Sequence, residues 1–342
     1  MSDDLDCVQA RFTDAELARR HAAVQAMMAA DALDALIIYS TAGGFSEVQY
    51  LAGFRTAREA YLVVPAAGDA TLLLQYFNHV PYARQWARIA DVRWAGPPDL
   101  STLIAHLRER GLGDRRIGLV GTLPWQQYGA IRAGLPHAEF RDATARFQRL
   151  RLVKSEEELT FLRAGAALSD RAMEALEREA RPGIAEYALA AIVEGAYLPL
   201  GGHTHIHYMA TTPMRNPTVC VPAQHQSDRM LRAGDVLITE ISAHCDGYPG
   251  QILRCFSIGG PPTGDYQHMH DLAVRVFDRI AGLVSAGATV EEVLDAADEI
   301  DAAGYTICDD LLHGFGGGYL VPHVRTRQTG AHAIRALFLL RT

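Results

Sequence analysis

The sequence predicts two domains, an α/β domain followed by an α+β domain. A chain of 342 residues exceeds the length of about 250–300 residues at which single hydrophobic cores usually stop growing. Helical and strand-like segments alternate through the first half, a pattern typical of a sheet covered by helices. This alternation ends near residues 147–154, where a new helix start follows. We therefore predict domains at 1–148 and 149–342.

The elements of the first domain follow from caps, apolar runs and turns. Thr13 and Glu16 have the spacing of a capping box, which opens a helix that runs to about residue 30. Gly68-Asp69 is a turn signal between two apolar runs and predicts a hairpin. The other elements are expected, in chain order, as strands at 35–40, 60–65 and 70–75, a helix at 100–111 and a strand at 116–121.

The second domain opens with a long helix and continues into strands. Ser155 and Glu158 form a second capping box, and Pro182-Gly183 ends the helix behind it. A strand that begins at His203 is rich in histidine. Residues 234–259 are two β-rich runs around an Asp246-Gly247-Tyr248-Pro249 turn, which predicts a β-hairpin.

Composition and charge exclude several classes of function. The net charge of −8 is spread along the chain, which disfavours nucleic-acid and anionic-membrane partners. No apolar run approaches the roughly 20 residues of a membrane-spanning helix, and the acidic N-terminus is unlike a signal peptide. We therefore expect a cytoplasmic protein. Five cysteines without CxxC spacing indicate neither a disulfide framework nor a thiolate zinc site, so buried or idle thiols are expected.

The hairpin and a later histidine turn resemble known sequences. Residues 234–259 resemble the metal-binding strand pair of the creatinase, prolidase and aminopeptidase P family, the pita-bread hydrolases. His313 stands in Leu312-His313-Gly314-Phe315-Gly316, which is similar to the family's glycine-flanked histidine turn. The resemblance implies that the second domain has the pita-bread fold and that the first is the family's noncatalytic N-terminal domain. It also implies a homodimer in which each N-terminal domain borders the partner's active site.

This chain departs from the family at the metal ligands. The resemblance places the family's two hairpin aspartates at Glu240 and Gln251, and a neutral glutamine amide cannot bridge two divalent cations as a carboxylate does. A usual His-Glu pair is replaced by Leu320 and Val321. The stretch after Pro322 suggests a truncation or a shifted reading frame; if it is native, its apolar spacing predicts a short C-terminal helix. The chain also ends at Thr342 before the two glutamates that family members carry in a further strand pair. No cofactor is therefore expected.

Three histidines on one predicted strand are the second candidate feature. Residues at i, i+2 and i+4 of a strand share a face, so His203, His205 and His207 are expected to project together. They form a solvated or backbone-bonded face, an active-site wall, or part of a metal site. In that last alternative His205, His207, Glu240 and His313 hold one divalent ion, either Zn, Mn or Fe.

The remaining candidate residues lie on the hairpin. Glu240 is expected as an inward carboxylate and as the acid/base, with His207 or His313 as the proton shuttle. Tyr248, Gln251 and Arg254 are the donors available to bind substrate and to stabilise developing charge without a metal. His203 and His205 are expected to bind substrate with them.

The favoured hypothesis is a creatinase-like hydrolase that cleaves a C–N bond of a small molecule with a degenerate or absent dinuclear metal site. One alternative is a metal-dependent Xaa-Pro aminopeptidase or dipeptidase with rebuilt ligands. The other is a nonenzymatic pita-bread binding scaffold. The three hypotheses differ in whether His207, Glu240, Gln251 and His313 meet in one cleft.

Overall fold

The computed structural model describes residues 7–8, 10–41 and 47–328. They divide into two compact units. Arg11–Arg151 form one unit, and the described residues from Leu152 onward form the other together with residues 7, 8 and 10. This division supports the predicted domains 1–148 and 149–342, which remain a proposal. The chain after residue 328, including the expected short C-terminal helix, lies outside the described residues.

The Arg11–Arg151 unit is a mixed six-stranded sheet with helices. The strand order is β4-β3-β2-β1-β5-β6, with β1 antiparallel to β2 and parallel to β5. Its strands are β1 (Ala35–Ser40), β2 (Ala60–Pro65), β3 (Thr71–Leu74), β4 (Asp91–Trp94), β5 (Arg116–Val120) and β6 (Glu139–Asp142). Its helices are α1 (Asp14–Ala30), α2 (Glu47–Ala52), α3 (Val80–Trp86), α4 (Ser101–Glu109), α5 (Trp125–Gly134) and α6 (Thr144–Arg149). The predicted alternation is confirmed.

The central strand β1 of this sheet is buried on both faces. Every residue of β1 is buried, and its side chains alternate between two hydrophobic cores. Leu36 and Ile38 contribute to one core, whereas Ile37 and Tyr39 contribute to the other. A strand that is covered on both faces requires a continuous apolar run, which explains the Ala35–Ser40 sequence.

The predicted capping box of α1 forms only in part. The Thr13 hydroxyl accepts a hydrogen bond from the Glu16 amide at 3.2 Å. The Glu16 carboxylate instead accepts from Arg19 and from the fully buried Arg20. Two guanidinium partners compete successfully for this carboxylate because each offers a charge-assisted bond.

The second unit contains a three-stranded antiparallel sheet, a two-stranded sheet and four α-helices. The sheets have the orders β7-β8-β9 and β10-β11. The strands are β7 (His203–Pro213), β8 (Asp235–Cys245), β9 (Tyr248–Ser257), β10 (Leu312–Phe315) and β11 (Tyr319–Val324). The helices are α7 (Glu156–Glu179), α8 (Glu186–Tyr197), α9 (Gly264–Leu283) and α10 (Val290–Ala302).

The predicted hairpin is confirmed, with a shorter turn than expected. Cys245 pairs with Tyr248, so only Asp246 and Gly247 lie between the strands. Both have positive φ, 44° and 84°, which matches the two-residue turns that suit twisted hairpins. Tyr248 and Pro249 therefore belong to β9 rather than to the turn.

Helix α7 packs against this hairpin through a close backbone approach. Its capping box is complete, because Ser155 and Glu158 each satisfy the other's backbone N–H. Gly165 faces the backbone of β9, where a Cβ would overlap the carbonyl oxygen of Tyr248 and lie 2.9 Å from the amide nitrogen of Gly250. Glycine is required there because no side chain fits between the helix and the strand.

Substitution of Gly165 by Ala is expected to destabilise the protein by about 1–3 kcal/mol, since backbone atoms cannot move aside as a side chain can. The matched control is Gly195→Ala in α8, where a Cβ meets nothing within 4 Å. That change should stabilise the protein by about 0.5–1 kcal/mol through helix propensity alone. Chemical denaturation measures both, and equal effects at the two glycines would contradict the close approach.

The expectation of free thiols is wrong for two cysteines. Cys7 and Cys245 form a disulfide with a Cα–Cα distance of 5.4 Å, and both are buried. Cys220, Cys255 and Cys308 are free and exposed. The pairing could not be foreseen, since the partners are 238 residues apart in the sequence.

In the part of the chain that the structure describes, no helix is long and apolar enough to cross a membrane.

Candidate functional site

Glu240, Gln251 and His313 meet in a hydrogen-bonded chain within the second unit. The Gln251 amide nitrogen donates to Glu240 Oε1 at 2.8 Å. The Gln251 carbonyl oxygen lies 2.7 Å from His313 Nε2. Gln251 lies opposite Ser242 on the paired strand, which places it on the same sheet face as Glu240, two residues from Ser242. The structure thus brings three of the four residues expected in the cleft together.

The order of donors and acceptors in this hydrogen-bonded chain determines whether His313 Nε2 carries a proton. An ionised Glu240 carboxylate can only accept, so it orients the Gln251 amino group towards itself and the amide oxygen towards His313. That oxygen also only accepts, so His313 Nε2 must carry a proton. Nδ1 lies 3.2 Å from the carbonyl oxygen of Gly314, which also only accepts, so this contact is a hydrogen bond only when Nδ1 carries a proton as well. A proton taken up on Nδ1 can donate to that oxygen.

Burial and charge both alter the titration of Glu240. Burial is the largest cause that raises its pKa, and the nearby negative charge of Asp309 raises the pKa further. The hydrogen bond from Gln251 offsets part of this effect. Glu240 therefore takes up a proton more readily than an exposed glutamate.

The His313 ring packs against neighbouring rings of the β10–β11 sheet. The rings of His313 and Tyr319 have centroids 4.2 Å apart, and the ring of His323 lies 4.2 Å beyond Tyr319. The Tyr319 hydroxyl donates to Asp310, which also accepts from Arg325 at 2.7 Å. Sequence reasoning missed Tyr319 and Asp310. The available signal was the Gly316–Gly318 turn, which pairs β10 with β11 and brings Tyr319 back beside the histidine.

The three histidines of β7 do not share one face as expected. A β-bulge between Thr204 and Ile206 interrupts the alternation at His205. His207 pairs with Ile241 of β8, whereas Glu240 pairs with Tyr208. Adjacent residues of a strand point to opposite faces, so His207 and Glu240 lie on opposite sides of the sheet.

Each histidine of β7 has partners away from Glu240. His207 Nδ1 lies 3.6 Å from Glu194 Oε1 on α8. The His203 ring stacks on His244 at 5.2 Å, and His205 makes edge contacts with His244 and Phe315. The structure does not bring His203 or His207 to Glu240 and His313, and the Phe315 ring contacts both His205 and His313.

Two more candidates lie apart from the cluster. Tyr248 is completely buried, and its hydroxyl donates to Glu158 Oε1 at 2.8 Å. That bond ties the hairpin to α7 and leaves Tyr248 no access to a ligand. The exposed Arg254 donates to the carbonyl oxygen of Leu253 at 2.7 Å. Neither side chain joins the hydrogen-bonded chain of Glu240, Gln251 and His313.

The residues present do not fit the dinuclear metal centre that the family resemblance implies. Among the described residues, no group of three or more His, Cys, Asp and Glu side chains is arranged to hold a metal ion. At the hairpin position of a bridging carboxylate, the Gln251 amide is engaged on both sides by Glu240 and His313. The alternative ligand set of His205, His207, Glu240 and His313 is not assembled either.

The fold and the hairpin define a two-domain pita-bread protein, and comparison with known proteins agrees. The sequence model of metallopeptidase family M24 matches residues 160–333, and that of the creatinase/prolidase N-terminal domain matches residues 20–153. The chain therefore belongs to metallopeptidase family M24, a family of peptidase-type hydrolases.

Relatives and solved structures give the same result. The chain is 28% identical over 321 residues to a probable dipeptidase PepE of Mycobacterium tuberculosis, covering 90% of this chain and 81% of that protein. The prolidase of Pyrococcus horikoshii has a similar fold, with a TM-score of 0.75, 19% identity, and coverage of 90% and 86%. Aminopeptidase P of Escherichia coli matches with a TM-score of 0.67, 16% identity, and coverage of 85% and 74%. The predicted fold class is confirmed.

Proposed function

We propose that this protein hydrolyses a C–N bond, of amide or amidine-like type, in a small molecule without the dinuclear metal centre of its family. The observation that carries the proposal is the chain from Glu240 through Gln251 to His313, with contacts of 2.8 and 2.7 Å. It supports the proposal because the His313 ring contacts the hairpin that carries Glu240 and Gln251, where the family resemblance puts the metal pair.

Each residue has a defined part in the proposed reaction. His313 Nδ1 accepts a proton from the attacking water and returns it to the leaving nitrogen, which is general acid/base catalysis. The Nε2 proton stays on the amide oxygen of Gln251. Glu240 fixes the orientation of the Gln251 amide, whose oxygen in turn holds His313 Nε2 in place.

The alternative is a metal-dependent Xaa-Pro peptidase. It is favoured by the names of relatives, such as the Xaa-Pro dipeptidase of Pyrococcus furiosus, which is 23% identical over 271 residues. The contacts of the Gln251 amide with Glu240 and His313 argue against it, because they occupy the hairpin position of a bridging carboxylate. A binding scaffold without activity is the third outcome of the same experiment.

The test combines metal analysis with a substrate panel of small amides, amidines and dipeptides, including Xaa-Pro dipeptides. We expect well under one equivalent of transition metal per chain and turnover that a chelator does not abolish. His313→Ala should lower kcat by about 10²–10⁴-fold, the usual contribution of a general acid/base group. The matched control is His270→Ala, an exposed histidine of α9, which should retain turnover and the same melting temperature.

Two results would overturn the proposal. Turnover that is lost with a chelator and restored by Mn, Zn or Fe would establish the metal-dependent alternative. A folded protein that binds members of the panel without turning them over would establish the scaffold.

The proposal also includes the homodimer expected from the sequence. Exposed aromatic side chains, Phe77 at 70% and Trp86 at 38%, support an apolar contact surface on the first unit. Light scattering that gives the monomer mass would contradict it.

For location, the sequence favours the cytoplasm, whereas the Cys7–Cys245 disulfide is typical of oxidising compartments. Cell fractionation decides between them.

A further inference from the structure

A crevice of about 380 Å³ opens in the Arg11–Arg151 unit. Two segments that follow neighbouring strands line it. One runs from Leu119, near the end of β5, to Tyr128 of α5, and the other runs from Phe140 of β6 to Thr144 of α6. The volume falls within the range of about 300–1,000 Å³ that small-molecule sites occupy.

The sheet topology explains why a crevice forms there. Strands β5 and β6 are adjacent and parallel, so their carboxyl ends lie at the same edge of the sheet. The chain leaves these ends towards opposite faces, because α5 places Ile131 in one hydrophobic core and α6 places Phe147 in the other. Connections that diverge in this way leave a space beyond the strand ends, which is where open α/β sheets usually bind ligands.

The walls of the crevice are held together by backbone contacts. The Gly121 amide donates to the Thr144 hydroxyl at 3.2 Å, which joins the segment after β5 to the segment after β6. A Cβ at Gly121 would lie 2.5 Å from the carbonyl oxygen of Tyr39, so this backbone packs directly on β1. The crevice is therefore preformed, and a ligand does not have to order its walls on binding.

Aromatic side chains supply the apolar part of the lining. Trp125 is 80% exposed, and its ring centroid lies 6.1 Å from that of Tyr128. The Tyr128 ring in turn meets Phe140 edge-on, with centroids 6.2 Å apart. Aromatic faces stack with planar groups and attract positive charge through their quadrupoles. These rings therefore favour a planar ligand and tolerate a cation.

Asp142 adds a negative charge beside the rings. It lies two residues after Phe140 on β6, so both side chains are on the sheet face that α5 covers. Its Oδ1 accepts from the Thr144 amide at 2.8 Å, and no Lys or Arg among the described residues pairs with its carboxylate. The neighbouring Arg141 is neutralised by Glu139 at 2.6 Å. The charge left for a ligand is thus negative.

We propose that this crevice binds a small planar organic cation of the amidinium or guanidinium class. The planar group stacks on Trp125, and its N–H groups donate to Asp142, whose Oδ2 is the oxygen not used by the Thr144 amide. A delocalised cation is more weakly hydrated than an ammonium group, so it loses less on contact with aromatic rings. The crevice consists of residues of the Arg11–Arg151 unit alone, so the proposal stands or falls independently of the proposed hydrolase activity.

The test is isothermal titration calorimetry of the full chain with benzamidine, using benzamide and benzoate as neutral and anionic probes of similar shape. We expect benzamidine to bind and the other two to bind at least about tenfold more weakly. Asp142→Asn keeps an acceptor for the Thr144 amide and removes the charge, so it should weaken benzamidine binding by about tenfold. Trp125→Ala should weaken it by about three- to tenfold.

Two control variants locate the bound probe. Asp114→Asn removes an exposed carboxylate that precedes β5 in the same unit, and Glu240→Gln removes the carboxylate of the proposed hydrolytic site. Both should leave benzamidine binding unchanged, and melting temperatures verify that each variant is folded.

Three outcomes would overturn the cation site. These are no binding of benzamidine up to millimolar concentration, binding of benzamide or benzoate as tight as that of benzamidine, and benzamidine binding that either Asp142→Asn or Trp125→Ala leaves unchanged or that Glu240→Gln abolishes.

Discussion

Replacement of Cys7 by Ser is expected to lower the free energy of unfolding by about 2–5 kcal/mol. The Cys7–Cys245 bond closes a loop across a sequence separation of 238 residues, and a crosslink across a long loop removes much of the freedom of the unfolded chain. The partner is also completely buried at the end of β8. Guanidinium denaturation without reductant measures the loss as a shift in the midpoint.

The control for this prediction is Cys255→Ser, which removes an exposed thiol outside any disulfide and should change stability by no more than about 0.5 kcal/mol. Adding a reductant should lower the midpoint of the unaltered protein and leave that of Cys7→Ser unchanged. Equal midpoints for the two proteins without reductant would show that the bond does not stabilise the fold.

Substitution of Glu186 by Gln is expected to cost about 2–4 kcal/mol, since two buried donors lose their acceptors. The Glu186 carboxylate is 5% exposed. It accepts from the backbone and hydroxyl of Thr211 and from the backbone and hydroxyl of Ser227. A glutamine would present an amino group to one of these pairs of donors. Urea denaturation at neutral pH measures the difference.

The same carboxylate should contribute to acid denaturation. Burial alone would raise the pKa of Glu186, but the hydrogen bonds from Ser227 and Thr211 outweigh it and the pKa is lowered. Its stabilisation is therefore complete above the unfolded pKa of about 4.3 and is lost as the pH falls through the lower folded pKa. Glu186→Gln should show a shallower loss of stability below about pH 4.3.

The control for this substitution is Glu174→Gln, an exposed glutamate of α7, which should alter stability by less than about 0.5 kcal/mol. Some acid dependence will persist in both variants, because Asp235 also has a lowered pKa through its paired bonds from Arg229. An unchanged acid limb in Glu186→Gln would contradict the assignment.

The family resemblance singled out the residues at the centre of the candidate site. It placed Glu240 and Gln251 on the hairpin, where strand alternation fixes the face of each side chain. It singled out His313 through the glycine-flanked turn. The hydrogen bonds through which the Gln251 amide links these residues could not be predicted, because they require β10 to lie beside β9. Gln251 and His313 are 62 positions apart in the sequence.

The failures have equally specific causes. The bulge at His205 interrupts the alternation of side chains between the two faces of β7. A run of alternating histidines contains no sequence signal for such an extra residue. Tyr248 was expected to be available to a substrate because it adjoins a turn. The first residues of β9 instead lie beneath α7, so the Tyr248 ring is buried. The disulfide was missed because cysteine spacing carries no information about distance between remote segments.

The glycine contact between α7 and β9 has a consequence for the motion of the candidate site. Gly165 and Gly250 have no rotamers, so this contact loses no side-chain entropy on folding and offers no repacking afterwards. Hydrophobic layers elsewhere can adjust by exchanging rotamers, but two backbones in contact cannot. Strands β8 and β9 thus hold Glu240 and Gln251 in fixed positions. We therefore expect any adjustment of the candidate site on the side of His313, where Gly316, Gly317 and Gly318 all adopt positive φ.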